Sequence, residues 1–369
     1  MTYSVLHFVF GVSGWGIILR IATVAFVAGC LVRLLPASIY PRRSTRLGWM
    51  AAIALVAAVA TLGWDASVYM NMKADAARQA DKLVAPSEAA MTGPPGKLKA
   101  SPDSYLGVYE PGEVGSYQPV SNFASQIGRN PNVLLYYSTI TTPFQSIFAE
   151  RAQQNGAVPL IQLNPGSASM QDVADGREDS YLKSFAEQLR SFGHPVILAF
   201  ASEPDGTWYN WGYTHTSPSV WIAGWRHTVT VFRQAGADNV TWLWTVNAEL
   251  GSATGPLSDW WPGSQYVTWV GIDGYYFQSN ATFTSVFAST IHDIHAFTSD
   301  PILISEVAIG PVAGSSKIAG LVQGVENNNL LGFVWYDQKQ TGSIYHQDWR
   351  LEDSPAAMAA FRTAVKTYK

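Results

Sequence analysis

From about residue 104 onward the chain alternates short apolar runs with longer stretches whose apolar residues recur every three or four positions. Apolar runs of four to eight residues are the length of buried strands, and the longer pattern has the period of a helix packed on one face. Strands are predicted at 105–109, 133–137, 158–163, 196–201, 240–246, 267–273, 302–305 and 331–336. Helices are predicted between them at 143–155, 179–192, 218–235, 283–297 and 317–328, with a last one at 355–368. The first connection is the weakest, with only 121–128 to offer. Thr142-Pro143 and Ser217-Pro218 are start signals, because proline fits the first helical turn after a hydroxyl cap. Eight strands alternating with helices over roughly 265 residues predict an α/β fold of the (β/α)8, or TIM barrel, type. The rival, an open doubly wound sheet, calls for a G-x-G-x-x-G turn after its first strand. Tyr109-Glu110-Pro111-Gly112 does not make one.

The pattern upstream is different. Residues 4–35 are almost continuously apolar, broken by His7, Arg20 and Arg33, and residues 47–64 carry no charge at all. A membrane span needs about 20 mostly apolar residues. Two transmembrane helices are therefore expected within residues 1–64, near 15–35 and 47–64. The alternative is a buried hairpin in a soluble protein. Arg33, Arg42, Arg43 and Arg46 lie in or beside the intervening loop, which puts that loop in the cytoplasm and everything after Trp64 outside. Val27-Ala28-Gly29-Cys30 resembles a bacterial lipoprotein cleavage box, which would lipidate Cys30 and make the first run a signal; the second apolar run that follows argues against it. Residues 65–103 read as an Ala-rich helical extension and a Pro/Gly linker around Pro94-Pro95-Gly96, leaving 104–369 as the barrel domain.

Composition narrows the function. A net charge of −4 with 14% charged residues and no basic patch gives no surface for nucleic acid. A single cysteine excludes an internal disulfide. His292 and His295 are a close pair on a probable outer helix with no third ligand in view, so neither a metal nor another cofactor is expected. Tryptophan is abundant, at 14 copies, and most lie beyond residue 200.

That enrichment is densest where the fourth predicted strand ends. Val196 to Ala201 opens abruptly into Ser202-Glu203, then Pro204-Asp205-Gly206 and the aromatics Trp208, Tyr209 and Trp211. Burial at a strand end raises a carboxyl pKa, which suits a general acid. Flat aromatic faces suit the C–H faces of a sugar ring. Barrels of this kind build their sites at the C-terminal ends of the strands. Glu203 ends the fourth strand and Glu306 the seventh, across the barrel mouth from one another. Two carboxylates flanking one bond are what glycoside hydrolysis requires.

Phe200-Ala-Ser-Glu-Pro-Asp-Gly-Thr-Trp-Tyr-Asn-Trp-Gly212 resembles the acid/base motif of glycoside hydrolase family 26, and Ile304-Ser-Glu-Val307 resembles its nucleophile motif. Leu106-Gly-Val-Tyr-Glu-Pro-Gly112, Trp242-Leu-Trp-Thr-Val-Asn247 and Gly271-Ile-Asp-Gly-Tyr-Tyr276 are similar to the family's first, fifth and sixth strands. The resemblance covers most of residues 104–368. It implies a retaining β-mannanase- or β-glucanase-like barrel with Glu203 as acid/base and Glu306 as nucleophile. It further implies Tyr275 beside the nucleophile, Asp273 two residues before it, and Trp208, Trp211 and Trp335 in the substrate cleft. Two positions depart from the family: Ser202 stands where a histidine is usual and Asp205 where an asparagine is usual. Both are carried as substrate-side positions. The expected protein is a two-pass, membrane-anchored, outward-facing endo-β-glycanase acting on β-mannan or β-glucan, with the lipid bilayer and a neighbouring polysaccharide synthase as partners. A non-catalytic glycan-binding barrel is the alternative that Ser202 and Asp205 favour, and a transglycosylase would use the same glutamates.

Overall fold

The computed structural model describes residues 98–248, 255–311, 314–342 and 346–368. The predicted spans and the Cys30 box lie outside the described residues. Among the described residues no helix is long and apolar enough to cross a membrane.

Eight parallel strands close on themselves in sequence order: β1 (Tyr105–Tyr109), β2 (Val133–Thr139), β3 (Val158–Asn164), β4 (Val196–Phe200), β5 (Val240–Asn247), β6 (Trp269–Tyr276), β7 (Ile302–Ile309) and β8 (Gly332–Tyr336), with β8 pairing back to β1. Helices α1 (Gln118–Ile127), α2 (Ser146–Gln154), α3 (Met170–Ala174), α4 (Asp179–Phe192), α5 (Pro218–Gln234), α6 (Phe283–His295), α7 (Lys317–Asn327) and α8 (Pro355–Val365) accompany them. After β8 a two-residue antiparallel ribbon, β9 (Lys339–Gln340) with β10 (Gln347–Asp348), precedes α8.

Every strand and all six predicted helices are present, and the differences are local. The first connection is a full helix, α1. α2 starts at Ser146, because Thr142 N–H closes a turn onto Thr139 O and Phe144 is already buried; Thr142-Pro143 is therefore a turn and not a cap. The short α3 was not predicted; Ser169 and Asp172 cap it reciprocally. Among the described residues the β5–β6 connection carries a 3-10 turn at Leu257–Trp260.

The helices form where one apolar stripe meets good ends. In α4, Leu182, Phe185, Ala186 and Leu189 face inward at the i, i+3, i+4, i+7 spacing, and Gly193 closes the helix in the left-handed region. Burying each large apolar side chain contributes about 1.5–3 kcal/mol. In α5, Ser217 caps and Pro218 starts the helix, and Trp221 stacks on Trp225 at 5.3 Å while Trp225 meets Trp242 of β5 edge-on at 6.0 Å.

Strand side chains alternate between two cores. One parity, including Leu135, Leu160, Ile197, Leu243, Leu303 and Val334, fills the barrel. The other, including Leu134, Ile161, Leu198, Ile272, Ile304 and Phe333, packs under the helices. Continuing the inward parity to the C-terminal ends gives Tyr109, Tyr137, Gln162, Asn247, Tyr275 and Tyr336.

Candidate active site

Glu203 sits just past β4 on a strained turn. Ala201 and Glu203 have φ of +46° and +54°, a region that costs non-glycine residues about 1–3 kcal/mol each. Surrounding bonds offset that cost. Ala201 N–H donates to Leu163 O at 3.0 Å and Glu203 N–H to Thr245 O at 2.9 Å. The indoles of Trp221 and Trp211 donate to the carbonyls of Ala201 and Ser202, at 3.2 and 2.8 Å. The loop then crosses itself: a Cβ on Gly212 would lie 2.3 Å from Gly206 O, so only glycine fits there. The result aims the Glu203 carboxyl into the barrel mouth, where Asn247 Nδ2 donates to Oε1 and Trp208 Nε1 to Oε2, both at 2.9 Å.

Glu306 is aimed by an irregularity in β7. Ile304 pairs with Ile272 and Glu306 with the next residue, Asp273, so Ser305 is extra on its strand. Three donors converge on the Glu306 carboxyl. Tyr137 O–H at 2.5 Å and Gln162 Nε2 at 2.7 Å reach Oε1, and Tyr275 O–H reaches Oε2. Burial and then the Glu203 charge raise Glu306 to about 7, while these three donors pull it down. Burial also raises Glu203, against the Asn247 and Trp208 bonds. Three donors thus stabilise the anion of Glu306 and two that of Glu203.

Both carboxyls face a cleft of about 450 Å³. Tyr137, Asn247, Tyr275 and Phe277 line it from the ends of β2, β5 and β6, and Trp208 and Tyr209 from the loop after β4. Across the barrel from that loop, Tyr109, Tyr336, Gln338, Gln340 and Trp349 line it from the ends of β1 and β8 and the chain after β8. Among the described residues no Lys, Arg or His lines it. Among the described residues no group of three or more His, Cys, Asp or Glu is arranged to hold a metal ion.

The structure places the predicted residues in two groups. Glu203, Glu306, Trp208 and Tyr275 meet at the cleft. Ser202, Asp205, Trp211, Asp273 and Trp335 do not line it. Both tryptophans are buried: Trp211, in the loop after β4, stacks on Tyr209 at 4.3 Å, and Trp335, on the outward parity of β8, packs on Phe361 of α8 at 5.1 Å. Tyr336, one residue on, is the cleft aromatic of β8. Ser202 is buried and its hydroxyl has no hydrogen-bond partner.

Asp205 lies fully buried behind the dyad, where both carboxyl oxygens accept the Asn247 N–H at 3.2 Å. Burial and then the Glu203 charge push it up to about 8. Asp273 lies below the dyad and accepts Ser305 Oγ at 2.6 Å; burial and the charges of Glu306 and Glu203 raise it well above the usual carboxylate range.

Sequence reasoning missed Tyr109, Tyr137, Gln162, Asn247 and Tyr336 as site residues. All five share the inward parity of their strands, a signal present in the sequence. Gln338, Gln340 and Trp349 come from an irregular segment and a two-stranded ribbon that carry no such signal.

Comparison with known proteins agrees with this architecture. The model of Glycosyl hydrolase family 26 matches residues 168–351. Endoglucanase H of Acetivibrio thermocellus is 28% identical over 288 residues, covering 70% of this chain and 31% of that protein. Beta-1,3-xylanase TXYA of a Vibrio species is 30% identical over 165 residues, 42% of this chain and 35% of that one. The chain thus spans about a third of the length of these relatives. A GH26 β-mannanase structure from Bacteroides ovatus superposes with a TM-score of 0.55 at 15% identity, covering 72% of this chain and 89% of that one, and so shares the barrel fold. With the family match falling on the strands that carry Glu203 and Glu306, the chain belongs to glycosyl hydrolase family 26.

Proposed function

We propose that this protein is a retaining endo-β-glycanase that cleaves a neutral β-linked polysaccharide through Glu306 and Glu203. The observation that carries the reading is the unequal pair of buried carboxyls at one cleft, one gripped by three donors and the other by two. Glu306, kept as the anion, attacks the anomeric carbon. Glu203, keeping the shared proton, delivers it to the leaving glycosidic oxygen. The glycosyl–Glu306 ester then yields to a water that Glu203, now ionised, deprotonates. Because Tyr137, Gln162 and Tyr275 together fix both oxygens of Glu306, its carboxylate suits direct attack rather than activation of a water.

The cleft also supports a substrate class. Among the described residues its lining holds no cation to pair with a uronate or sulfate, and its aromatic walls suit uncharged sugar faces. The names of the relatives span glucan, 1,3-xylan and mannan cleavage, so β-glucan, β-xylan and β-mannan are the substrates to test. On the apolar runs of residues 1–64 and their arginine-rich loop, we place the barrel outside a membrane on a two-pass anchor. There the substrate is a glycan at the cell's own surface, with a neighbouring synthase as one source.

The test is release of reducing ends by the full chain from β-mannans, β-1,3- and β-1,4-glucans, mixed-linkage glucan and β-1,3-xylan, with Glu203→Gln and Glu306→Gln alongside. Cleavage of one polymer, abolished in both variants, is the expected result. Cleavage that persists in either variant, or binding without cleavage by the wild type, overturns the two-glutamate reading. Protease shaving of whole cells tests the topology: loss of the barrel is expected, and its protection sinks the outward placement.

A further inference from the structure

The connection after β8 carries a buried acid where the chain has no obvious need of one. Asp337 follows Tyr336 directly and is only 2% exposed. Its backbone N–H donates to Tyr109 O at 3.1 Å, tying it to β1. Its Oδ1 accepts Leu351 N–H at 2.8 Å, from beyond the β9–β10 ribbon, and Trp335 Nε1 at 3.1 Å. Glu110, at the end of β1, hydrogen-bonds the same carboxylate as the protonated partner. One side chain thus joins the ends of β1 and β8 to the chain on both sides of the ribbon.

The ribbon is a wall of the cleft. Trp349 N–H donates to Gln338 O at 3.0 Å, and Trp349 Nε1 to Gln340 Oε1 at 2.8 Å. Gln340 Nε2 donates to Tyr336 O–H at 2.9 Å, and Tyr336 O–H in turn donates to Gln338 Oε1. Trp349 packs 5.1 Å from Tyr275, the phenol that holds Glu306, and Tyr336 stacks on Tyr109 at 5.1 Å. This side lies opposite Trp208 and Tyr209, which flank the acid/base. It therefore faces the part of the glycan that stays on Glu306 when the leaving group departs.

We propose that Asp337 is a positioning residue that pins the β9–β10 ribbon and Trp349 as the glycone-side wall, and that this wall sets how tightly the glycan is held. The proposal rests on the glycan-cleaving reading of the cleft. Asp337 touches no reacting atom, so its contribution appears in KM and not in kcat. The charged groups facing the pair are Glu352, from the segment before α8, which acts on both acids, and Glu113, in the loop before α1, which itself feels the Glu110 charge. Arg350 is bonded to Asp348, Glu352 and Asp353. Burial and the Asp337 charge raise Glu110 to about 9. Burial raises Asp337 to about 6, so between about 6 and about 9 one proton, on Glu110, bridges the two acids. Above about 9, two adjacent carboxylates repel and the pin loosens.

The experiment measures kcat and KM of the full chain on the polysaccharide it cleaves, at pH 7.5 and pH 9.5, for the wild type, Asp337→Ala, Gln340→Ala and Glu110→Gln. At pH 7.5, Asp337→Ala and Gln340→Ala each raise KM about tenfold or more, with kcat within a few-fold, as expected when buried polar contacts of a binding wall are lost. The wild-type KM rises at pH 9.5. That of Glu110→Gln does not, because its amide donates to Asp337 without a proton to lose. A fall in kcat with unchanged KM in Asp337→Ala marks a loss of folded protein and overturns the proposal. So does an unchanged KM in Gln340→Ala, or the same alkaline rise in Glu110→Gln. If the wild type cleaves no polymer, the glycosidase reading fails on its own. The wall is then judged by affinity electrophoresis in the same glycans: weaker retention of Asp337→Ala supports it, and retention equal to the wild type refutes it.

Discussion

Asp205 offers a direct measurement of how this site handles buried charge. It stands two residues after Glu203, fully buried, and burial raises it from 3.8 to about 8. A buried acid with a raised pKa is held neutral in the folded chain while the unfolded chain ionises. Between pH 3.8 and about 8 the folded state therefore binds more protons, and stability falls as pH rises through that window. The stabilising contribution is fully present below 3.8 and gone above about 8. A rise of about four pH units at about 1.36 kcal/mol each sets an upper bound of about 6 kcal/mol. Relaxation and water penetration around a buried carboxylate bring the expected value to about 3 kcal/mol. Asp205→Asn keeps an oxygen for the Asn247 N–H at nearly the same volume and has no proton to lose. The expected result is a variant as stable as the wild type at pH 4 and about 3 kcal/mol more stable at pH 8, or about 6–12 °C in Tm for a domain of this size. Near-UV circular dichroism reads the barrel's unfolding through its packed tryptophans. A Tm difference that does not change with pH would refute the reasoning, since Asp205 would then carry the same charge folded and unfolded. A variant less stable at every pH would show that the carboxylate charge itself holds Asn247.

Other consequences are equally specific. Glu203→Ala should lower turnover of an unactivated glycan by about 10²–10⁴-fold and far less for an aryl glycoside with a good leaving group, which needs no proton; equal losses on both would remove Glu203 as the acid. Tyr275→Phe removes one of three donors to the Glu306 anion and costs about 1.5–3 kcal/mol, or ten- to a hundredfold in kcat/KM. Because that donor lowers the Glu306 pKa, the acidic limb of the pH profile moves to higher pH; an unmoved limb would contradict the assigned ionisation. Gly212→Ala places a Cβ 2.3 Å from Gly206 O and should unseat the loop that carries Trp208 and Trp211, seen as lost activity with most of the barrel's melting transition retained; a fully active variant would show that the crossing yields.

Most of the barrel and part of the site were legible in the sequence, and the boundary between them is physical. Strands such as 196–201 announce themselves because a parallel barrel strand is buried on both faces and must be apolar throughout. Glu203 and Glu306 stand out for the same reason: each is a charge at the end of such a run. The same double burial hides orientation, because an apolar run has no polar side to show which residues point inward. A one-residue shift exchanges the barrel interior for the helix layer, and in β8 that step separates Trp335, expected in the cleft from the family resemblance, from Tyr336, which lines it. Once one inward residue is known, the rest of its strand follows: fixing Tyr275 as inward puts Asp273 below the dyad and Tyr276 under the helices, where it is fully buried. Ser202 and Asp205 resisted for another reason. Whether a residue beside a catalytic acid touches substrate or supports the turn depends on left-handed φ at Ala201 and Glu203, which neither residue type advertises. The two departures from the family thus fall behind the site instead of in it, where a serine and a neutral aspartic acid fill buried space. The groups that hold the two carboxyls are Tyr137, Gln162, Tyr275 and Asn247, from other strands, and Trp208, from the same loop as Ser202 and Asp205.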